Sequence, residues 1–238
     1  GWSANVLLSE FSMLYNAFSQ GKPSPLPPLP IQYVDFAHWQ RQWLRGDILD
    51  KPLNYWKQQL AGTPLLELPT DHPRPIQRFW GANLNRSLSP ALTARLKTLS
   101  QQTGATLYMT LLAALATLLS RYSGQTDIVI GSLVANRTHS QIEPLIGLFV
   151  NTLALRLNLE GNPHFEEALQ QARRVASEAY AHQDIPFQKV VEALQPKRNT
   201  SQSPLFQVLL EGQPTRQVES LELPGLKIEL LETEDRGD

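Results

Sequence analysis

The sequence contains no cysteine. Disulfides, thiolate metal sites and cysteine nucleophiles are therefore excluded. The absence fits a reducing compartment, and a cytoplasmic location is the expectation. Charge bias is missing as well: 21 Lys and Arg stand against 22 Asp and Glu, a net charge of −1. That balance makes no electrostatic case for a nucleic acid or an anionic membrane as partner. The longest apolar stretch, LYMTLLAALATLL from Leu107 to Leu119, is too short to span a bilayer and reads as a buried helix. No signal-peptide pattern is readable in the opening residues. Nor does the chain carry a G-x-S-x-G elbow, a G-x-G-x-x-G turn or a P-loop.

What is present suffices for a core. The 238 residues are 42% hydrophobic and 18% charged, enough for one large domain or two small ones. Prolines cluster at Pro23–Pro30 and Pro64–Pro75, where they predict stiff connectors. Apolar residues at Val6, Leu7, Phe11, Leu14, Tyr15 and Phe18 predict a helix from about Ser3. A second helical face carries Tyr33, Phe36, Trp39 and Trp43, and LNYWKQQLAG predicts a third helix closed by Gly62. Phe79–Leu88 reads as a strand. Ser89-Pro90 and Thr106 are start signals for two further helices, the second stopped at Ser123-Gly124.

The β-branched core of DIVIGSLVANR predicts a buried strand. LFVNTLALRLNLE alternates, with Leu153, Leu155, Leu157 and Leu159 on one face, and predicts a half-buried strand. Asn162-Pro163 opens a helix with acidic residues early and basic ones later. A short helix, KVVEAL, and two closing strands, PLFQVLLEGQ and GLKIELLE, complete the order. The class is mixed α/β, with helices packed on a sheet.

Five histidines are the candidate general bases. His38 reads as structural, and His72 and His164 as solvated. His139 and Glu143, four apart, would share a helix face, but no third ligand for a metal is visible, and no metal is expected. His182, in Ala-His-Gln-Asp-Ile-Pro-Phe, is the most informative. Asp184 would orient its ring or cap the following helix, and spacing alone favours a structural turn.

The strings IQYVDFAHWQR, IGLFVNTLALR, HQDIPFQKVVEAL and SPLFQVLL, in this order, resemble the successive motifs of the condensation domains of nonribosomal peptide synthetases. YWKQQLAGTPLLELPTDHPRP and SGQTDIVIGSLVANR resemble the text between them. The resemblance implies a fold similar to chloramphenicol acetyltransferase, in which two lobes enclose a tunnel for two carrier-borne phosphopantetheine arms. It implies amide formation: a carrier-bound aminoacyl amine attacks an upstream aminoacyl or peptidyl thioester. Upstream and downstream carrier domains and an adjacent adenylation domain are the implied partners, and no cofactor is bound by the chain itself. It further implies a helical tail of the first lobe over residues 1–75 and the second lobe over residues 76–238.

The family's signature is His-His-x-x-x-Asp-Gly, often followed by Trp-Ser. Gly1, Trp2 and Ser3 match its tail alone, so the resemblance implies that the motif's His and Asp are not among these residues and that the fragment is inactive. Arg137 matches a motif Arg that pairs with that Asp. Gly147, Phe149, Asn151 and Thr152 match Ile-Gly-x-Phe-Val-Asn-Thr, with Asn151 as a polar contact near the tunnel and Gly147 admitting close backbone approach. Gly1, Arg137 and Asn151 are the residues the resemblance assigns to the catalytic set, and Trp2, Ser3, Gly147, Phe149, Thr152, His182 and Asp184 are the expected tunnel residues. A carrier- or partner-binding module without catalysis is the competing expectation, and an epimerisation or cyclisation domain a further one.

Overall fold

A computed structural model describes residues 1–71, 81–195, 204–212 and 223–228. Among them the order is helical first and then mixed. Helix α1 spans Trp2–Phe18, α2 Tyr33–Trp43 and α3 Asp47–Gln59. Helices α4 (Pro90–Gln102) and α5 (Leu107–Ser123) lead into strand β1 (Asp127–Val134). A 3-10 turn at Ser140–Ile142 precedes β2 (Asn151–Asn158). Helices α6 (Phe165–Ala181) and α7 (Phe187–Leu194) and the short β3 (Leu209–Leu210) follow. The mixed α/β class read from the sequence holds.

The chain packs as two compact units. The first gathers Gly1–Ile48 and Ala135–Val150, with the stretch that contains residues 223–228. Its core is Phe36, Ile142, Leu145 and Phe149, flanked by Leu29 and Ile31 of the proline-rich connector. Helix α2 starts cleanly because the Asp35 carboxylate accepts from the Gln32 backbone N–H at 2.8 Å. Its aromatic face then forms a ladder, from Tyr33 to Phe36 to Trp39 to Trp43, with neighbouring ring centroids 6.2, 5.8 and 5.1 Å apart.

The second unit gathers Leu49–Val134 and Asn151–Gly212. Its sheet has the order β2-β1-β3, with β1 antiparallel to β2 and parallel to β3. Ile128, Ile130, Leu153, Leu155 and Leu157 are buried in it, and α5 and α6 supply Leu112, Ala116, Leu169 and Ala172 as fully buried cover. The small pair Gly131 and Ala154 lies in register at the sheet centre. The ring of Phe206 lies over it: a Cβ on Gly131 would come within 2.5 Å of the ring. Ala154, its register partner, is buried as well, on what the alternation marks as the open face.

The strand expected over Phe79–Leu88 is not found in residues 81–88, which are exposed coil; Phe79 and Trp80 lie outside the described residues. Among the described residues no neighbouring strand takes its N–H and C=O groups, and a segment without such partners does not make a strand. The closing strand over PLFQVLLEGQ shrinks to two residues. Leu205 sits at φ 72°, a left-handed backbone that ends extension just before them. GLKIELLE shows no strand over 225–228, and its remainder, like His72, lies outside the described residues.

One ion pair ties three elements of the second unit together. Arg156 on β2 donates from Nε and Nη2 to both Asp127 oxygens, at 2.9 and 2.8 Å. Its Nη1 donates to the carbonyls of Gln59 and Ala61 at the end of α3, at 3.0 and 2.9 Å. Asp127 accordingly holds the Arg156 pKa above the usual arginine value. Arg156→Leu removes all four bonds and strands Asp127, and is expected to cost about 1–3 kcal/mol in denaturant unfolding. Unchanged stability would contradict the clamp.

Candidate functional site

The expected site residues of the first unit meet around Ser3. Gly1 stands at the N-cap of α1, its carbonyl accepting from Ala4 and Asn5 N–H at 3.1 and 3.2 Å. Trp2 Nε1 donates to the Glu143 carbonyl at 2.9 Å. The Ser3 hydroxyl donates to the Gly147 carbonyl at 2.8 Å and accepts from the Gly147 N–H at 3.2 Å. It also accepts from Arg137 Nη2 at 2.8 Å, so its one hydrogen and both lone pairs are engaged.

Arg137 closes the node. Its guanidinium carbon lies 4.1 Å from the centroid of Phe149 and 5.5 Å from that of Trp2. Its Nη1 donates to the carbonyls of Ile142 and Glu143. Every described hydrogen-bond acceptor of Arg137 is thus uncharged. Burial lowers its pKa from the usual arginine value, and the Glu143 carboxylate counters part of that.

Gly147 is required by packing. A Cβ there would come within 2.3 Å of the Tyr33 ring. Tyr33 in turn donates to the Leu148 carbonyl at 3.0 Å and meets Phe149 edge-on at 5.2 Å. His139 and Glu143 do not share an α-helical face, because only a 3-10 turn joins them; His139 instead stands edge-on to Trp39 at 5.7 Å.

Asn151, Thr152, His182 and Asp184 belong to the second unit. Asn151 Nδ2 donates to the carbonyls of Gln183 and Ile185, both at 2.7 Å, and its Oδ1 accepts from Phe187 N–H at 3.0 Å. It is 8% exposed, so its amide serves the 183–187 loop and supplies the first turn of α7 with its capping oxygen. Thr152 pairs with Leu133 across the sheet. His182 ends α6, with Nδ1 2.8 Å from the Glu178 carbonyl. The ring partner expected in Asp184 is therefore supplied by backbone, and the cap expected from Asp184 comes from Asn151.

Two residues that the sequence does not single out as site residues also grip His182. Tyr55 stacks on its ring at 3.9 Å and 7°. Trp56 Nε1 donates to its carbonyl at 3.1 Å. Burial pushes the Tyr55 phenol up to about 12, with Glu178 adding to the shift, so a neutral ring stacks. Adjacent aromatics in a helix do not announce a partner so far along the chain.

The family model described as condensation domain matches residues 1–234. This chain belongs to the condensation-domain family. It is 51% identical over 230 residues to malpinin synthetase of Mortierella alpina, covering 96% of this chain and 3% of that protein. It is 53% identical over 211 residues to a linear gramicidin synthase protein of Brevibacillus parabrevis, covering 88% of this chain and 3% of that protein. Among solved structures, the X-domain from teicoplanin biosynthesis matches with a TM-score of 0.81 at 30% identity, covering 87% of this chain and 48% of that one. A four-domain nonribosomal peptide synthetase bound to AMP and glycine matches at 0.78 and 28%, covering 89% of this chain and 16% of that one. The fold is the acetyltransferase-like fold of condensation domains, as the motif order implies. No single helix among the described residues is long and apolar enough to cross a membrane.

Gly147→Ala is expected to destabilise the condensation-domain chain by about 1–3 kcal/mol. With Tyr33→Ala already in place the same change is expected to cost far less, because the obstructing ring is gone. Additive losses in thermal unfolding would contradict the packing account.

Proposed function

We propose that this chain is part of a condensation domain that joins carrier-bound substrates through an amide bond in nonribosomal peptide synthesis. The carrying observation is the node at Ser3. The tail of the His-His-x-x-x-Asp-Gly-Trp-Ser signature, here Gly1-Trp2-Ser3, is bonded directly to the two later motif segments, through Arg137 and through Gly147. A loop that carries a base must be held to a fraction of an ångström to be useful. Trp2, Ser3 and Arg137 are suited to holding it.

In this reading the acceptor amine attacks the donor thioester carbonyl, the carbon–sulfur bond breaks, and the amine proton leaves as the carrier thiol is released. A His of the signature positions or receives that proton. The Asp of the signature pairs with Arg137, whose described hydrogen-bond acceptors are all uncharged. Gly147, Phe149, Thr152, His182 and Asp184 are assigned to the substrate tunnel, and Asn151 holds the loop that carries the last two. The phosphopantetheine arms arrive as substrates on upstream and downstream carriers, with an adenylation domain adjacent, in the cytoplasm. The 238 residues contain no His-His pair, and amide formation by these residues alone is expected to fail.

A second reading has one observation in its favour: the X-domain from teicoplanin biosynthesis was also solved as a complex with OxyB, at 30% identity to this chain. Under it the domain recruits a partner protein. Identities of 51% and 53% to peptide synthetases favour the first reading.

The test is amide release from loaded carriers by the parent module. The expected result is product from a module that holds His-His-x-x-x-Asp ahead of Gly1, and none after its second His is changed to Ala. Amide formation unaffected by that change would overturn the reading.

A further inference from the structure

His182 is fixed more tightly than a turn residue needs. Its Nδ1 lies 2.8 Å from the Glu178 carbonyl oxygen. A carbonyl only accepts, so Nδ1 carries the hydrogen, and in the neutral ring Nε2 keeps the lone pair. Tyr55 covers one face of the ring at 3.9 Å, nearly parallel, and so fixes its plane. The backbone is held from both sides: Trp56 Nε1 binds the His182 carbonyl at 3.1 Å, and Asn151 binds the Gln183 and Ile185 carbonyls at 2.7 Å. Among the described residues no group bonds Nε2. A ring oriented by two helices, on a loop held by a strand, with one acceptor left open on a half-buried residue, has the form of a recognition group rather than of a capping group.

We propose that His182 is a hydrogen-bond acceptor for an amide N–H of the carrier-bound ligand, presented through Nε2, and that Tyr55 is the positioning residue that orients it. The proposal rests on the tunnel assignment of His182 above. It names the chemistry: a peptide-like N–H, found both in the acyl chain and in a pantetheine arm. Protonation of the ring would convert Nε2 from acceptor to donor and remove this contact, while the Nδ1 bond to Glu178 would persist.

Two substitutions separate recognition from structure. His182→Asn keeps an amide near the Nδ1 position and loses the Nε2 position. His182→Gln places its amide oxygen near Nε2 and loses the bond to Glu178. In the parent module, KM for the carrier-bound thioester is expected to rise roughly three- to tenfold in His182→Asn, with kcat little changed, and less in His182→Gln. The reverse order, or no change in His182→Asn, would overturn the proposal, since a purely structural histidine is better replaced by Asn. Repeating the comparison with a thioester truncated in its arm assigns the N–H: a penalty that persists points to the acyl chain, and one that vanishes points to the arm.

The tautomer is tested separately, in long-range proton–nitrogen spectra of the 238-residue chain. The Nδ1–H pattern is expected for His182, kept in Tyr55→Phe and weakened in Tyr55→Leu. The Nε2–H pattern in the unaltered chain would overturn the proposal. A parent module that makes no amide at all would remove the functional reading, and this spectrum would still report on the ring.

Discussion

The hydroxyl of Ser3 is the contact on which the first unit depends. It uses its single hydrogen and both lone pairs within 3.2 Å, on the backbone of Gly147 and the guanidinium of Arg137. These partners come from parts of the sequence far from Ser3, and none substitutes for another. Remove the hydroxyl and a backbone N–H, a carbonyl and a cation each lose a partner in a partly buried place, where each such loss costs about 1–3 kcal/mol. The aromatic surroundings make that geometry stiff. Phe149 lies against the guanidinium, Tyr33 fills the space a Cβ at Gly147 would occupy, and Phe36 packs against Phe149 at 4.8 Å. The helix that begins at Gly1 therefore starts from a fixed point.

The second unit uses a different device for the same end. Arg156 holds the end of α3 to the sheet, α3 presents Tyr55 and Trp56 to His182, and Asn151 at the start of β2 holds the residues that follow. The loop from His182 to Phe187 is thus fixed by bonds directed at its backbone as well as by the ring of His182 and the buried side chain of Ile185. The side chains of Gln183 and Asp184 take no part in that anchoring.

Much of this is legible in the sequence, and the limits have physical causes. The helices are readable because their caps are local: Ser89 accepts from Leu92 N–H, and Thr106 from Met109 N–H. The alternation of β2 is readable because one sheet face is buried. The strand expected near Phe79 is not found in its described part, because pairing partners are set by the fold and not by the segment. Asn151 and Gly147 stand out through motif resemblance, yet their work, a three-bond staple and room for a ring, depends on residues far along the chain. Tyr55 is invisible for the same reason. Periodicity marks which face of a helix is apolar; it does not mark what that face meets.

The central claim is that the node at Ser3 holds a catalytic loop. Its most direct measurement is the single-turnover rate of amide formation in the parent module with Ser3→Ala, beside carrier binding in the same variant. The expected result is a rate lowered about a hundredfold with carrier binding kept, because a misplaced base loses orientation before it loses its partner. A variant that forms the amide at the unaltered rate would contradict the account.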